Sequence, residues 1–217
     1  MAHDDSSWLR TPPTDSVEIA GRYDNWVETY DQDLVSWGYE APAGGARLLR
    51  DATAGGSVLD VGCGTGLTGN ALNALGFGPI DGVDLSDRSI DRSRNLGIYR
   101  NLTQADFNEA PLPSADAAYD ALLCVGVMSY ATAPEALLLE FARVVVPGGV
   151  FVFSHRADLF DEQNTAALLD DLCRRGVLAS VTITEPRPYM PGNADYADLV
   201  VRFVTAITGW QLHKAAL

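Results

Sequence analysis

The sequence predicts an α/β fold: one doubly wound, mainly parallel sheet with helices on both faces, an antiparallel last strand and a helical cover at the N-terminus. Three observations predict it. Short apolar runs alternate with amphipathic stretches from Ser57 to about residue 155, and strands separated by helices return parallel to one another. A loop crowded with glycine, Gly62-Cys63-Gly64-Thr65-Gly66, follows the first apolar run, where such a sheet receives its ligands. The last two apolar runs, 177–184 and 198–207, are joined by about a dozen residues without helical pattern. A parallel return needs a longer crossover, so this end is antiparallel.

Taken in order, residues 1–14 are polar, carry Pro12-Pro13 and show no period, which predicts a disordered tail. Residues 15–54 form the helical cap. Asp15 with Glu18 makes a capping box, and Tyr23, Trp26, Val27, Tyr30, Leu34 and Trp37 form one helical stripe that Gly38 stops. Pro42 opens a second short helix to about Asp51, ended by Gly55-Gly56. Residues 55–217 then carry the sheet, with strands at 57–61, 79–83, 99–103, 119–125 and 149–154. Between them lie helices at 66–75, 87–96 and 133–145, the last opened by Thr132 and Glu135 in capping-box spacing. A further helix is expected near 161–175. The whole reads as one domain without internal repeats.

A chain of 217 residues, 47% of them hydrophobic, suffices for one domain with a full core. The formal net charge of -14 repels polyanions and argues against nucleic acid as a partner. Nine carboxylates stand among residues 1–40 against Arg10 and Arg22, a pattern that reads first as a solvated acidic face. No apolar run approaches the ~18 to 20 residues that cross a membrane, and MAHDDSSWLR lacks the basic-then-apolar pattern expected of a secretory leader. Cys63, Cys124 and Cys173 are odd in number, without metal-ligand spacing. The expectation is a reduced cytoplasmic protein with no disulfide and no metal; a homodimer is compatible with the sequence.

The glycine loop can be read in two ways. Gly64-Thr65-Gly66-Leu67-Thr68-Gly69 matches a dinucleotide G-x-G-x-x-G formally. Asp60 at the end of the first strand, however, would repel a pyrophosphate, whereas it suits the ammonium of S-adenosylmethionine, directly or through water. Asp84, closing the second strand, can accept both ribose hydroxyls of either ligand. Asp106 and Phe107 follow the third strand, an acid for the adenine amino group and a ring to cover it; the alternative for Asp106 is a helix or turn cap.

The segments VLDVGCGTG, GVDLS, QADF, YDALLCVGVMSY and FARVVVPGGVFVFS resemble, in order and spacing, the class I S-adenosylmethionine-dependent methyltransferases over about residues 57–155. The chain departs at Val146, where many relatives carry Lys before Pro-Gly-Gly. YDNWVETYDQDLVSWGYEAP resembles a subgroup that includes the Williams–Beuren-region methyltransferase-like proteins, in which this helix lies over the cofactor. The resemblance implies a Rossmann-like fold and S-adenosylmethionine as cofactor, leaving as S-adenosylhomocysteine. It places Tyr30, Asp60, Gly62, Cys63, Gly64, Gly66, Asp84, Leu85, Asp106, Phe107, Cys124 and Val125 along that cofactor. Cys124 reads otherwise as strand core.

Methyl transfer is an in-line displacement that needs positioning and a dry pocket, with a base only for a hydroxyl or protonated amine acceptor. His155, after the fifth strand, is the candidate base, with Tyr130 as the alternative through its phenol. Tyr23, Trp26, Tyr130, Tyr189, Met190 and Tyr196 are the candidate substrate contacts. The proline-rich stretch 185–197 reads as a lid over the pocket or as a plain surface loop. The expected reaction is methylation of an O or N atom of a small molecule. Two alternatives stay open: use of the bound cofactor without methyl transfer, and an NAD-dependent oxidoreductase.

Overall fold

The structure, a computed structural model, describes residues 6–210. A 3-10 turn over Ser6–Leu9 precedes α1 (Ser16–Trp26), α2 (Tyr30–Ser36) and α3 (Ala41–Ala52). Strands and helices then alternate as β1 (Val58–Val61), α4 (Leu67–Ala74), β2 (Ile80–Asp84), α5 (Asp87–Arg94) and β3 (Tyr99–Gln104). β4 (Tyr119–Cys124), α6 (Pro134–Val144) and β5 (Val145–Arg156) follow. The chain closes with α7 (Ala157–Glu162), α8 (Thr165–Arg174), β6 (Leu178–Ile183), the short β7 (Arg187–Pro188) and β8 (Val200–Thr208).

One sheet holds all of these strands in the order β3-β2-β1-β4-β5-β8-β6, with β7 beside β8. The strands from β1 to β5 pair parallel, while β8 runs antiparallel to β5, β6 and β7. This is the expected Rossmann-like sheet with its antiparallel end. Strand order reverses at β1, which places the loop after Val61 at the switch point where such sheets bind ligands. Strand parity divides the core. Leu59, Leu122, Phe151 and Phe153 face Leu138 and Phe141 of α6 and Leu169 of α8. Val58, Ala121, Leu123 and Val152 face Leu49 of α3 and Leu72 of α4. Among the described residues no helix is long and apolar enough to cross a membrane.

Several expected elements differ. The single cap helix is two, because arginines of α5 capture its carbonyls: Arg88 donates to Asp24 O at 2.6 Å and Arg92 to Val27 O at 2.5 Å. Carbonyls taken by side chains no longer serve the next helical turn. The expected cap over 15–54 also divides, since Ala46 and Leu49 of α3 belong to the sheet's own core. The helix near 161–175 is broken at Asn164, whose φ of +51° is left-handed. Thr132 does not cap α6; its N–H and hydroxyl both donate to Asn108 Oδ1 (2.9 and 3.2 Å). Asp15 does cap α1, accepting from Glu18 N at 2.8 Å.

The tail is corrected as well. Residues 1–5 lie outside the described residues, but from Ser6 on the chain is placed, with Trp8 and Leu9 buried. Trp8 packs edge-on against Tyr23 (5.2 Å between centroids) and Trp26 (6.2 Å). Arg156, buried at the end of β5, donates to Leu9 O (2.7 Å) and Arg10 O (2.9 Å) and pairs with Asp158. Polar composition hid two large apolar side chains, and the distant buried cation Arg156 binds the backbone at Leu9 and Arg10. Arg156→Leu removes charge-assisted bonds of ~1.5–3 kcal/mol each. Amide exchange over residues 6–14 is therefore expected to quicken by roughly tenfold or more; unchanged protection would show that the strap holds without Arg156.

Candidate active site

A cavity partly open to solvent lies between the glycine loop, the two cap helices and the Tyr189–Met190 segment. One end is built by the glycine loop and the end of β2: Gly62, Gly64, Asp84, Leu85, Ser86 and Ser89. Gly62 turns the chain off β1 at φ +73°, and a side chain there would overlap Val127 Cγ2. Gly64 is also left-handed, at φ +51°, with open space where a Cβ would stand. Its N–H donates to Asp84 Oδ2 at 2.7 Å, and Ser86 N–H donates to Oδ1 at 2.8 Å. Burial pushes the Asp84 carboxyl up, opposed by the N–H groups of Ser86, Gly64 and Leu85.

The other end is aromatic. Tyr23, Trp26 and Tyr30 come from the cap, Tyr130 from the turn after β4, and Tyr39 and Tyr189 close it, while Phe107, after β3, lines the cavity with Leu85. The Tyr23 and Tyr130 hydroxyls are 3.0 Å apart, and the Tyr39 and Tyr189 rings meet edge-on at 5.3 Å. Burial drives all five tyrosines, Tyr23, Tyr30, Tyr39, Tyr130 and Tyr189, above the usual phenol pKa. The two Tyr-Asp pairs of the cap share one design. Tyr23 and Tyr30 face the cavity, while Asp24 accepts from Ser86 Oγ and Asp31 from Thr65 Oγ1, each at 2.5 Å. These two carboxylates thus tether the cap to the glycine loop, through Thr65, and to the start of α5, through Ser86, and are no part of a solvated acidic face.

The methyltransferase domain family matches residues 59–153. Human methyltransferase-like protein 27 is 35% identical over 162 residues, 71% of this chain and 66% of that one. The chain belongs to the class I S-adenosylmethionine-dependent methyltransferases. A ubiquinone biosynthesis O-methyltransferase of Azoarcus is 32% identical over 105 residues, 46% of this chain and 44% of that protein. The chain thus spans about two thirds or less of these curated relatives. A possible histamine N-methyltransferase of Thermotoga maritima shares the fold, with a TM-score of 0.63 at 16% identity over 85% of this chain and 97% of that one. The [4+2]-cyclase SpnF shares it too, with a TM-score of 0.56 at 19% identity over 76% and 79% of the two chains.

S-adenosylmethionine is accordingly the cofactor, and the glycine-loop end fits it. Gly64 leaves open space, and Asp84 offers a carboxylate at the cavity wall. The oxidoreductase alternative falls with the family assignment. Of the residues expected along the cofactor, Tyr30, Gly62, Gly64, Asp84, Leu85, Phe107 and Val125 line the cavity. Asp60, Cys63, Gly66, Asp106 and Cys124 do not. Asp60 is buried behind the loop, where Tyr99 Oη donates to its Oδ2 at 2.7 Å and Oδ1 has no partner. Burial, opposed by that bond, pushes its carboxyl up to about 7. A direct contact from Asp60 to the cofactor's ammonium is therefore not available in this arrangement. Cys63 and Cys124 are buried, Cys124 in the sheet core, and Gly66 leaves room for Leu96. Asp106 is the turn cap, accepting from Asn108 N at 2.8 Å.

Of the expected substrate contacts, Tyr23, Trp26, Tyr130, Tyr189 and Met190 reach the cavity; Tyr196 packs behind them, 5.7 Å from the Trp37 ring. His155 is the main correction. It is buried outside the cavity wall, 5.9 Å from the Phe160 ring, and neither ring nitrogen has a partner. Burial lowers its pKa to about 4, with Asp158 opposing. His155→Ala is expected to leave turnover within about tenfold, whereas loss of a general base costs ~10² to 10⁴. A hundredfold loss with intact cofactor affinity would restore it as the base. Leu9, Tyr39, Ser86 and Gly126 line the cavity without having been singled out. Tyr39 stands within the quoted cap motif, and Ser86 ends GVDLS, so both had a signal.

Proposed function

We propose that this protein transfers the methyl group of S-adenosylmethionine to an O or N atom of a small molecule bound at the tyrosine-lined end. The division of one cavity into a glycine-loop end and an aromatic end carries this reading. The cofactor supplies a methyl group activated by its sulfonium leaving group. Asp84 would accept the ribose hydroxyls, Phe107 and Leu85 would flank the adenine, and the backbone at Gly62 and Gly64 would let the methionine end approach under Tyr30. Tyr23 and Tyr130 would orient the acceptor through their paired hydroxyls. Their raised pKa keeps them protonated, so they act as hydrogen-bonding groups and not as bases. The cap, tethered through Asp24 and Asp31, would exclude water from the reacting atoms.

Relatives named for ubiquinone biosynthesis and for demethylmenaquinone support a small acceptor. The net charge of -14 argues against nucleic acid. Incubation with S-adenosylmethionine and a small-molecule extract, followed by mass spectrometry, tests the reaction. A product heavier by one methylene must appear with an equal amount of S-adenosylhomocysteine. Product formation without cofactor conversion would favour the use of the cofactor as a fixed charge. Hydrogen exchange tests the cap: protection over residues 16–38 is expected to rise when S-adenosylhomocysteine binds, and equal protection would make the cap ordinary packing.

A further inference from the structure

We propose that the acceptor is a small organic amine taken as its free base, the aromatic end stabilising the positive charge that passes to nitrogen as the amine is methylated. The inference rests on the methyltransferase reading of the cavity and names the substrate class for it. Among the described residues, no Lys, Arg or His lines the cavity, and its one ionisable acid is Asp84. A carboxylate or phosphate acceptor would meet no cation on this wall, since Arg156 lies behind it, bonded to Leu9 O and paired with Asp158, inside a protein of net charge -14. The rings of Tyr23, Trp26, Tyr30, Tyr39, Tyr130 and Tyr189 instead present π faces and edges around the cavity. Cations are attracted to such faces by the ring quadrupole, most strongly where they are desolvated.

The absence of a base among these wall residues points the same way. The tyrosines are held protonated by burial, and Asp84 is fastened by the N–H groups of Gly64 and Ser86. A hydroxyl acceptor would have to pass its proton to a group on this wall as its bond to carbon forms. A free amine has no such need. Its nitrogen lone pair forms the N–C bond while the C–S pair returns to sulfur, so the positive charge passes from sulfur to nitrogen and no proton moves. The net charge within the aromatic end is unchanged throughout, and the same rings that suit the sulfonium suit the ammonium that replaces it.

The test compares choline with its uncharged carbon isostere, 3,3-dimethylbutan-1-ol, by calorimetry on protein saturated with S-adenosylhomocysteine. The two share shape and hydroxyl and differ in charge. Choline is expected to bind at least roughly tenfold tighter, with Tyr130→Phe keeping the preference and Tyr130→Leu reducing it to about threefold or less. Cofactor affinity in each variant reports whether the site is still folded. Equal or tighter binding of the alcohol, or binding of neither by the cofactor-loaded protein, overturns the inference and leaves the methyltransferase reading standing. Failure of S-adenosylhomocysteine itself to bind overturns both, and is seen before either probe is added.

Discussion

Asp84→Ala is expected to weaken S-adenosylhomocysteine binding at least roughly tenfold, and on the order of a hundredfold if both ribose contacts count in full. Hydrogen bonds to a charged acceptor contribute ~1.5–3 kcal/mol each. The structure adds a second cost. The Asp84 carboxylate also anchors Gly64 N–H and Ser86 N–H, so its loss frees the glycine loop as well as the ligand. Asp84→Asn keeps an acceptor for one of these N–H groups and should lose less. Calorimetric titration separates the cases, and an alanine variant within threefold of the parent would remove Asp84 from the cofactor site.

The second large effect concerns Asp60 and stability. In the unfolded chain this carboxyl ionises near ~3.9; in the fold burial raises it to about 7. Between those values the folded protein holds a proton that the unfolded chain has released. Asp60 therefore costs stability that grows as pH rises, ~1.4 kcal/mol per unit, up to about 4 kcal/mol above pH 7. Asp60→Asn keeps an oxygen for Tyr99 and never ionises. Its Tm should exceed the parent's by up to about 8 to 16 °C at pH 8, using ~2–4 °C per kcal/mol for a chain of this size. The difference should vanish toward pH 4. A variant less stable than the parent at pH 8 would show that the ionised carboxylate is compensated in the fold.

The fold was legible because its signals are local and repeated. Apolar runs alternating with amphipathic stretches located β1 to β5, and the missing crossover between the last runs set β8 antiparallel. What sequence reading missed depends on distant partners. The break after Trp26 depends on Arg88 and Arg92, more than sixty residues away along the chain. The placing of Trp8 and Leu9 depends on Arg156. His155 is different, since strand parity could have placed it. It alternates in step with Phe151 and Phe153, both core, whereas Ser154 shares parity with Val152 and reaches Gly126 N of the cavity wall at 2.9 Å. Position at a strand end marks the crevice, but parity decides which side chains enter it. Asp106 shows the limit of motif reading: a short acidic side chain in a turn satisfied a backbone N–H two residues on.

A crystal structure with S-adenosylhomocysteine bound tests the central claim most directly. The account predicts the ligand in the cavity beneath the cap, both ribose hydroxyls within hydrogen-bond distance of Asp84, adenine against Phe107 and the sulfur facing the tyrosine-lined end. Ligand density outside this cavity, or an Asp84 carboxylate still engaged only by Gly64 and Ser86 with the ligand bound elsewhere, would contradict it.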